Sequence, residues 1–290
     1  MSADWKVRFW GVRGSIPTPG PQTARVGGNT SCVEVRVAEQ ILILDSGTGI
    51  RPLGLSLMAE FKDKAIDAHL FIGHTHWDHI QGFPFFVPAY IPRNSFHIYS
   101  AHGVARSFEN IFREQMSQNY FPIETGDMSA RLEFTQVNGP FAAGAVQVDT
   151  TFTNHPGVNM AYRFHYGGKS LVYLTDHENI QTQFQSKDDF SAKQDRLIEA
   201  FCRGADLLIC DAQYTDEDYN GKRGWGHSRW RDTLQLGLDA GVKRLALFHH
   251  EPVRTDDQID AIEAECRRIL KEKGSSLQCS AAREGQEIGF

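Results

Sequence analysis

The sequence predicts an α/β protein in which two β-sheets pack face to face and helices cover the outside. Three observations carry that prediction. Short apolar runs of strand length, such as 41–44, 69–72, 170–175, 206–210 and 244–248, recur through the chain. They fall into two strand-rich blocks, one in each half, and each block is followed by helical segments, the pattern of a layered α/β fold. No low-complexity linker separates the halves, so residues 1–290 are expected to form one domain.

Each element has its own local signal. Trp5, Val7 and Phe9 alternate with polar residues and predict a first strand. The Gly- and Pro-rich stretch 11–29 reads as loop, and 32–37 with 41–44 as a hairpin. A helix is expected over 53–61, then the strand 69–72. Residues 103–116 have helical periodicity, with Val104, Phe108, Ile111 and Phe112 on one face. Further strands are expected at 132–137, 146–153, 160–166 and 170–175, the last two joined by the turn dipeptide Gly167-Gly168. A helix at 189–202 precedes the strand 206–210, and a helix at 229–238 precedes the strand 244–248. Thr255-x-x-Gln258 reads as a capping box that opens a last long helix ending near Lys273-Gly274.

Composition narrows the class. A hydrophobic share of 41% can fill a substantial core. The formal net charge is -6, with no long basic run, which argues against a broad nucleic-acid-binding surface. The five cysteines, Cys32, Cys202, Cys210, Cys266 and Cys279, are scattered and form no CxxC pair. They read as reduced thiols of a cytoplasmic protein. Residues 1–6 carry no apolar h-region, and no apolar stretch is long enough to span a bilayer.

The chemistry is concentrated in His74-Thr75-His76-Trp77-Asp78-His79, which follows the apolar run 68–72 and Gly73. In extended backbone residues two apart point the same way, so His74 and His76 can grip one ion. A bend into helix at Asp78 would swing Asp78 and His79 to an adjacent position. A lone loop histidine is usually solvated, but four such groups packed together without metal would be expensive to desolvate. Three more candidates share one feature with this loop, each lying at the end of an apolar strand: His155, Asp176 and His249. Taken alone, Asp176 could be a helix N-cap, the commoner job for an Asp after a strand.

The order H-x-H-x-D-H, then His, Asp and His, resembles the metallo-β-lactamase superfamily over nearly the whole chain. Phe9-Trp10-Gly11-Val12-Arg13-Gly14-Ser15-Ile16-Pro17, Gly27-Gly28-Asn29-Thr30-Ser31-Cys32 and Leu247-Phe248-His249-His250-Glu251-Pro252 resemble its phosphodiesterase-like branch. That branch includes ribonuclease Z, a tRNA 3′-end endonuclease, and the phosphoribosyl cyclic phosphodiesterases. The resemblance implies a four-layer αββα sandwich of two mixed sheets. It also implies a binuclear site: His74, His76 and His155 on one ion, Asp78, His79 and His249 on the other, and Asp176 bridging. Five imidazoles and two carboxylates suit zinc, and also manganese or iron. Such a pair can hold a bridging hydroxide for attack on a phosphodiester, with Asp78 expected in the catalytic set. The Leu-x-Leu-x-His pattern favours His249 over His250 as the ligand.

Around that set, Asp45 in Asp-Ser-Gly-Thr-Gly is expected to orient a ligand histidine through its distal nitrogen, although a turn-forming Asp would look the same. His227 in Gly-Trp-Gly-His-Ser resembles the second histidine motif of ribonuclease Z and is expected to act as general acid or phosphate ligand, with Asp211 orienting it. His250 is expected behind the ligands or facing substrate. Arg13, Arg223 and Arg229 are candidate phosphate contacts. Trp77 and Trp225 are candidate pocket residues, though aromatic residues more often lie in cores. His69, His97, His102, His165 and His177 read as structural or solvent-facing. The expected function is hydrolysis of a small cyclic or nucleotide phosphodiester, with no membrane partner. The competing readings are a ribonuclease Z-like endonuclease, a glyoxalase II-like thioesterase, and a metal-stabilised protein without activity. Cys in place of Asp176 would mark the best-known zinc β-lactamases. A homodimer is compatible with the resemblance, and nothing in the residues compels it.

Overall fold

The computed structural model describes residues 5–101, 107–186 and 188–290. The first half runs β1 (Lys6–Gly11), β2 (Cys32–Val37), β3 (Gln40–Leu44), α1 (Ile50–Phe61), β4 (Asp67–Phe71), α2 (Trp77–Ile80), β5 (Ser95–Ala101), α3 (Phe108–Glu114) and β6 (Arg131–Val137). The second half begins with β7 (Phe141–Ala143), β8 (Val146–Phe152), β9 (Met160–Tyr166) and β10 (Lys169–Leu174). It continues through α4 (Ile180–Phe184), α5 (Asp189–Cys202), β11 (Leu207–Asp211), α6 (Asp216–Tyr219), α7 (Trp230–Asp239), β12 (Arg244–Phe248), α8 (Asp256–Glu272), β13 (Gln278–Ala281) and β14 (Glu287–Gly289).

Among the described residues these strands form two seven-stranded sheets, ordered β14-β1-β2-β3-β4-β5-β6 and β13-β12-β11-β10-β9-β8-β7. Both are mixed in the same way. An antiparallel meander, β1-β2-β3 in one and β7-β8-β9-β10 in the other, is extended by parallel strands. Each half therefore supplies one sheet, except that β14 returns to pair with β1.

The side-chain alternation of a strand explains the layers. In β3, Leu42 and Leu44 join the core between the sheets, whereas Ile41 and Ile43 join the core under α1 and α3. In β10 and β11, Leu171, Tyr173, Leu207 and Ile209 face inward, while Val172, Leu174, Leu208 and Cys210 pack beneath α5, α7 and α8. Strands buried on both faces read as unbroken apolar runs, which is why 41–44, 206–210 and 244–248 stand out in the sequence. Leu53 and Leu57, one helical turn apart on α1, are fully buried against the first sheet, each contributing about 1.5–3 kcal/mol by burial.

The predicted two-sheet sandwich with outer helices is the architecture observed. Gly167 and Gly168 both have positive φ, 61° and 75°, as a two-residue turn between paired Tyr166 and Lys169 demands. Thr255 and Gln258 form the capping box of α8. Residues 102–106 lie outside the described residues, and with them His102 and the start of the helix expected at 103–116; the described part is α3. The strands β5, β7, β13 and β14 and the short helices α4 and α6 add to what the sequence predicts, while α2 is the bend into helix anticipated at Asp78. The five cysteines are free and buried. Among the described residues no helix is long and apolar enough to cross a membrane.

Candidate metal centre

The centre is built from strand ends. Asp45 follows β3, the histidine loop follows β4 after Ile72 and Gly73, Asp176 follows β10, Asp211 ends β11 and His249 follows β12. These are carboxyl ends of parallel strands, where α/β sheets place their ligand sites. His155 follows β8, which is separated from β10 by one antiparallel strand and so ends on the same edge. At three of these ends the chain turns through the left-handed region: Asp45 at φ 60°, Asp176 at 53° and His249 at 57°. Aspartate tolerates that region and histidine less so. Strain of this kind, roughly 1–3 kcal/mol, collects where a side chain must be aimed.

Two groups of donors come together, each with its atoms within 4.8 Å of one another: His74, His76, His155 and Asp176, and Asp78, His79, Asp176 and His249. Asp176 belongs to both. Its Oδ2 lies 3.5 Å from His74 Nε2, 3.3 Å from His79 Nε2 and 3.8 Å from His155 Nε2, and its Oδ1 lies 3.2 Å from His249 Nε2. Two donors bonded to one ion at about 2.1 Å with tetrahedral angles sit about 3.4 Å apart, so the spacing suits shared ions. A second observation agrees. Nε2 of His74 and Nε2 of His79 are buried without a hydrogen-bond partner, a costly state that a divalent cation would relieve.

The ligand rings are held from behind. The Asp45 carboxylate accepts from His79 Nδ1 at 2.7 Å, from the Tyr173 hydroxyl at 2.7 Å and from the Gly73 amide at 2.9 Å. His249 Nδ1 lies 3.0 Å from Gln213 Oε1, and His155 Nδ1 lies 3.0 Å from the Gly226 carbonyl. Each bond presents the opposite nitrogen, Nε2, to the centre. The Ser15 amide donates to Asp78 Oδ2 at 2.7 Å. Gly14 runs so close that a Cβ there would fall on the His249 ring.

Electrostatics bind the two groups together. Burial alone would raise the carboxyls of Asp78 and Asp176, but the neighbouring imidazoles outweigh it and hold both well below the usual range. Burial disfavours charge on His79 and His249, yet the surrounding carboxylates raise both, His249 to about 9. His74 is pushed well down by burial and by His79, and His155 down to about 4, chiefly by burial. In the metal-free protein, protons on His79 and His249 thus offset carboxylate charge, and ion binding must displace them.

Beside the donors lies a cavity of about 400 Å³ lined by Ser15, Thr75, Trp77 and His227 together with His76, Asp78 and Asp176. His227 Nδ1 lies 2.7 Å from Asp211 Oδ2. Its ring stacks on His249 at 4.9 Å and meets His155 edge-on at 5.1 Å. The dyad adjoins the metal donors, and Asp176, Asp211, His227 and His249 form a third close group.

Several expectations need correction. Arg13 is not a phosphate contact. It is fully buried, and its guanidinium donates to the carbonyls of Gly27 and Arg254 and pairs with Asp256, stitching three loops. His250 neither backs a ligand nor faces substrate. Its Nε2 is bonded to the Ala282 carbonyl at 3.0 Å, and burial pushes its pKa down to about 3. Arg229 is engaged by Asp216 and Asp232, and the exposed Arg223 lies over the Tyr219 ring. Trp77 and Trp225 are not core residues: they are 78% and 59% exposed, and Trp77 lines the cavity. Sequence reading missed Gln213, Glu178 and Ser15. The nearest signal for Gln213 was its place just beyond β11, the strand beside β12 and His249.

The comparisons with known proteins fall in line with this geometry. Ribonuclease Z of Thermoplasma acidophilum is 24% identical in an alignment of 298 positions, gaps included, that covers 89% of this chain and 90% of that protein. The metallo-beta-lactamase fold protein YhfI of Bacillus subtilis superposes with a TM-score of 0.68 at 18% identity, covering 99% of this chain and all of that one. A diphosphatase of the PhnP family superposes with a TM-score of 0.65 at 18% identity, covering 99% and 98%. The Beta-lactamase superfamily domain matches residues 42–250, a span that runs from β3 past His249 and takes in every donor described above, and the chain belongs to that superfamily.

Proposed function

We propose that the protein is a metal-dependent phosphodiester hydrolase that uses two divalent ions, with residues 1–290 as one hydrolase domain. The observation that carries the reading is the His227–Asp211 pair, whose His227 stands on the wall of the cavity, against a seven-donor cluster. His74, His76, His155 and Asp176 would hold one ion, and Asp78, His79, His249 and Asp176 the other. Zinc is the metal this nitrogen-rich set suits best, and manganese and iron accept the same donors. Bound there, the ions would supply an activated water and positive charge against the phosphoryl oxygens.

The chain's own residues do the rest. Asp45, Gln213 and the Gly226 carbonyl fix the tautomers of His79, His249 and His155. The Ser15 amide holds Asp78 in place. His227, with Nδ1 bonded to Asp211, has Nε2 free to give a proton to a departing alkoxide. That last feature favours a phosphodiester over a thioester, because a thiolate departs at neutral pH with little help from an acid. The substrate is proposed to be a small cyclic or nucleotide diester. Similarity to ribonuclease Z supports a second reading, cleavage of a tRNA precursor.

One panel tests the proposal. Protein of measured metal content is assayed on bis-p-nitrophenyl phosphate, 2′,3′- and 3′,5′-cyclic nucleotides, a pre-tRNA, a thioester and a β-lactam. We expect about two ions per chain and turnover of small diesters that a chelator abolishes. Pre-tRNA cleavage with no small-diester turnover would favour the second reading, and thioester turnover alone would defeat both.

A further inference from the structure

We propose that Glu178 is a positioning residue that sets His155 and His227 at once, by fixing the backbone of the loop between them. The inference rests on the two-ion reading above and goes beyond it. Glu178 lies two residues after Asp176 and is only 1% exposed. Its carboxylate takes three neutral donors. Oε1 accepts from the Tyr219 hydroxyl and from the Gly224 amide at 2.9 Å, and Oε2 accepts from the Gly226 amide at 2.9 Å. The partners sit on α6 and on the loop that follows it, so one side chain spans this whole segment. Bonds from neutral donors to a buried carboxylate are charge-assisted and about twice as strong as neutral ones.

What the hooked loop does is specific. Gly226 is held by its amide and returns its carbonyl to His155 Nδ1 at 3.0 Å. The next residue is His227. The Ser228 hydroxyl then donates to the His177 carbonyl, a second tie to the segment that carries Glu178. Glu178 also accepts, through its own carbonyl, from Asn154 Nδ2 at 2.8 Å, next to His155. Three loops that carry His155, Asp176 and His227 are thereby joined through one residue that belongs neither to the donor groups nor to the cavity lining. Gly226 has room for no adjustment by side chain, since a Cβ there would fall on the His155 ring. The Gly226 backbone is therefore held between two bonds, its amide on Glu178 and its carbonyl on His155.

A carboxylate is needed for this. A glutamine of the same shape would turn its amide nitrogen toward one of the backbone N–H groups and lose that hook. The consequence is selective. Loss of Glu178 should loosen the ion held by His74, His76 and His155, whose third ring depends on Gly226. It should spare the ion held by Asp78, His79 and His249, whose rings are set by Asp45 and Gln213.

The full-length protein, stripped with a chelator, is titrated with Zn²⁺ against a chromophoric competitor, in the wild type and in Glu178→Ala, Glu178→Gln, His155→Ala and the Glu178→Gln/His155→Ala pair. Circular dichroism and thermal unfolding check that each variant is folded, and Glu178→Gln serves if Glu178→Ala is not. We expect affinity at one site to fall about 10–100-fold in the Glu178 variants, as for other residues that orient a ligand. The other site should stay within about threefold, and the pair should lose little beyond His155→Ala alone, the mark of two residues acting through one contact. Wild-type affinities in Glu178→Gln, equal weakening of both sites, or additive losses in the pair would each overturn the inference. A wild type that binds fewer than two ions would instead sink the two-ion reading on which it rests.

Discussion

His227 is placed where a proton donor is useful. One ring nitrogen is committed to the fully buried Asp211, and the residue lines the cavity. General acids of this kind contribute about 10²–10⁴-fold, and only when the leaving group needs the proton. His227→Ala should therefore cut kcat on a diester with an alkyl leaving group by roughly 10²–10³-fold. It should cost far less on a p-nitrophenyl diester, whose leaving group departs as a stable anion. Metal content should stay at the wild-type value. Equal losses on the two substrates would remove the donor role and leave His227 as a phosphate contact or ligand. At this scale the sequence was informative where chemistry was contiguous. His74 to His79 announce themselves because four ligand-type residues crowd one loop. Gln213 and Glu178 do not, because a single Gln or Glu near a strand end looks like any polar loop residue until the partner loops fold against it. Arg13 misled for a related reason: an arginine in a loop looks like any cationic contact until Gly27, Arg254 and Asp256 fold around it.

The elements deliver the site by ending on one edge, and their connecting loops carry the precision. This was legible for the strands that are apolar on both faces, and the stretches that precede Asp176 and His249 could be read directly. It was not legible for β5, whose His97 faces the acids Asp67 and Glu133 and stacks on His69, so the strand reads as polar. The three-residue strands β7 and β14 are too short to show a period at all. Among the loops, the Gly224–Gly226 segment offers a controlled experiment. Both glycines have positive φ, 83° and 87°, yet a Cβ at Gly224 meets only the end of Gln183, at 3.8 Å, whereas a Cβ at Gly226 meets the His155 ring. Alanine at either position should cost roughly 1–3 kcal/mol in backbone strain, seen as a drop in thermal stability that is larger for Gly226→Ala, whose Cβ also meets Pro156 and the His155 ring. Only Gly226→Ala should also weaken zinc binding, by about tenfold or more. If Gly224→Ala weakens zinc equally, backbone strain rather than displacement of His155 accounts for the loss.

At the scale of the whole molecule, burying so many histidines ties stability to pH in two opposite ways. His155 and His177 have pKa values pushed down to about 4 and His250 to about 3, in each case chiefly by burial. The unfolded chain takes up these protons first, near its ordinary value of 6.5, so the native state has the full benefit above that pH. The benefit is lost as pH falls toward 4. For His177 alone, linkage gives about 2 kcal/mol lost by pH 5. His249 behaves in the reverse sense. Burial opposes its charge, but Asp176 and Asp78 raise it to about 9, so its contribution is complete below 6.5 and disappears as pH rises through 9. His79 is raised as well and adds to the same limb. A chelator-stripped sample should accordingly be most stable near pH 6.5–7, with Tm falling on both sides. Reloading with zinc should remove the share of the alkaline fall that His249 and His79 carry, because a metal-bound imidazole carries no proton to lose on that nitrogen; buried thiols such as Cys32 and Cys210, which burial pushes up, leave a remainder near pH 9. The acid fall should remain, since His177 and His250 lie outside the donor groups and still have to charge. Thermal unfolding from pH 5 to 9, with and without zinc, checks both limbs. An alkaline limb as steep in the loaded protein as in the stripped one would mean that His249 is not one of the groups that zinc engages.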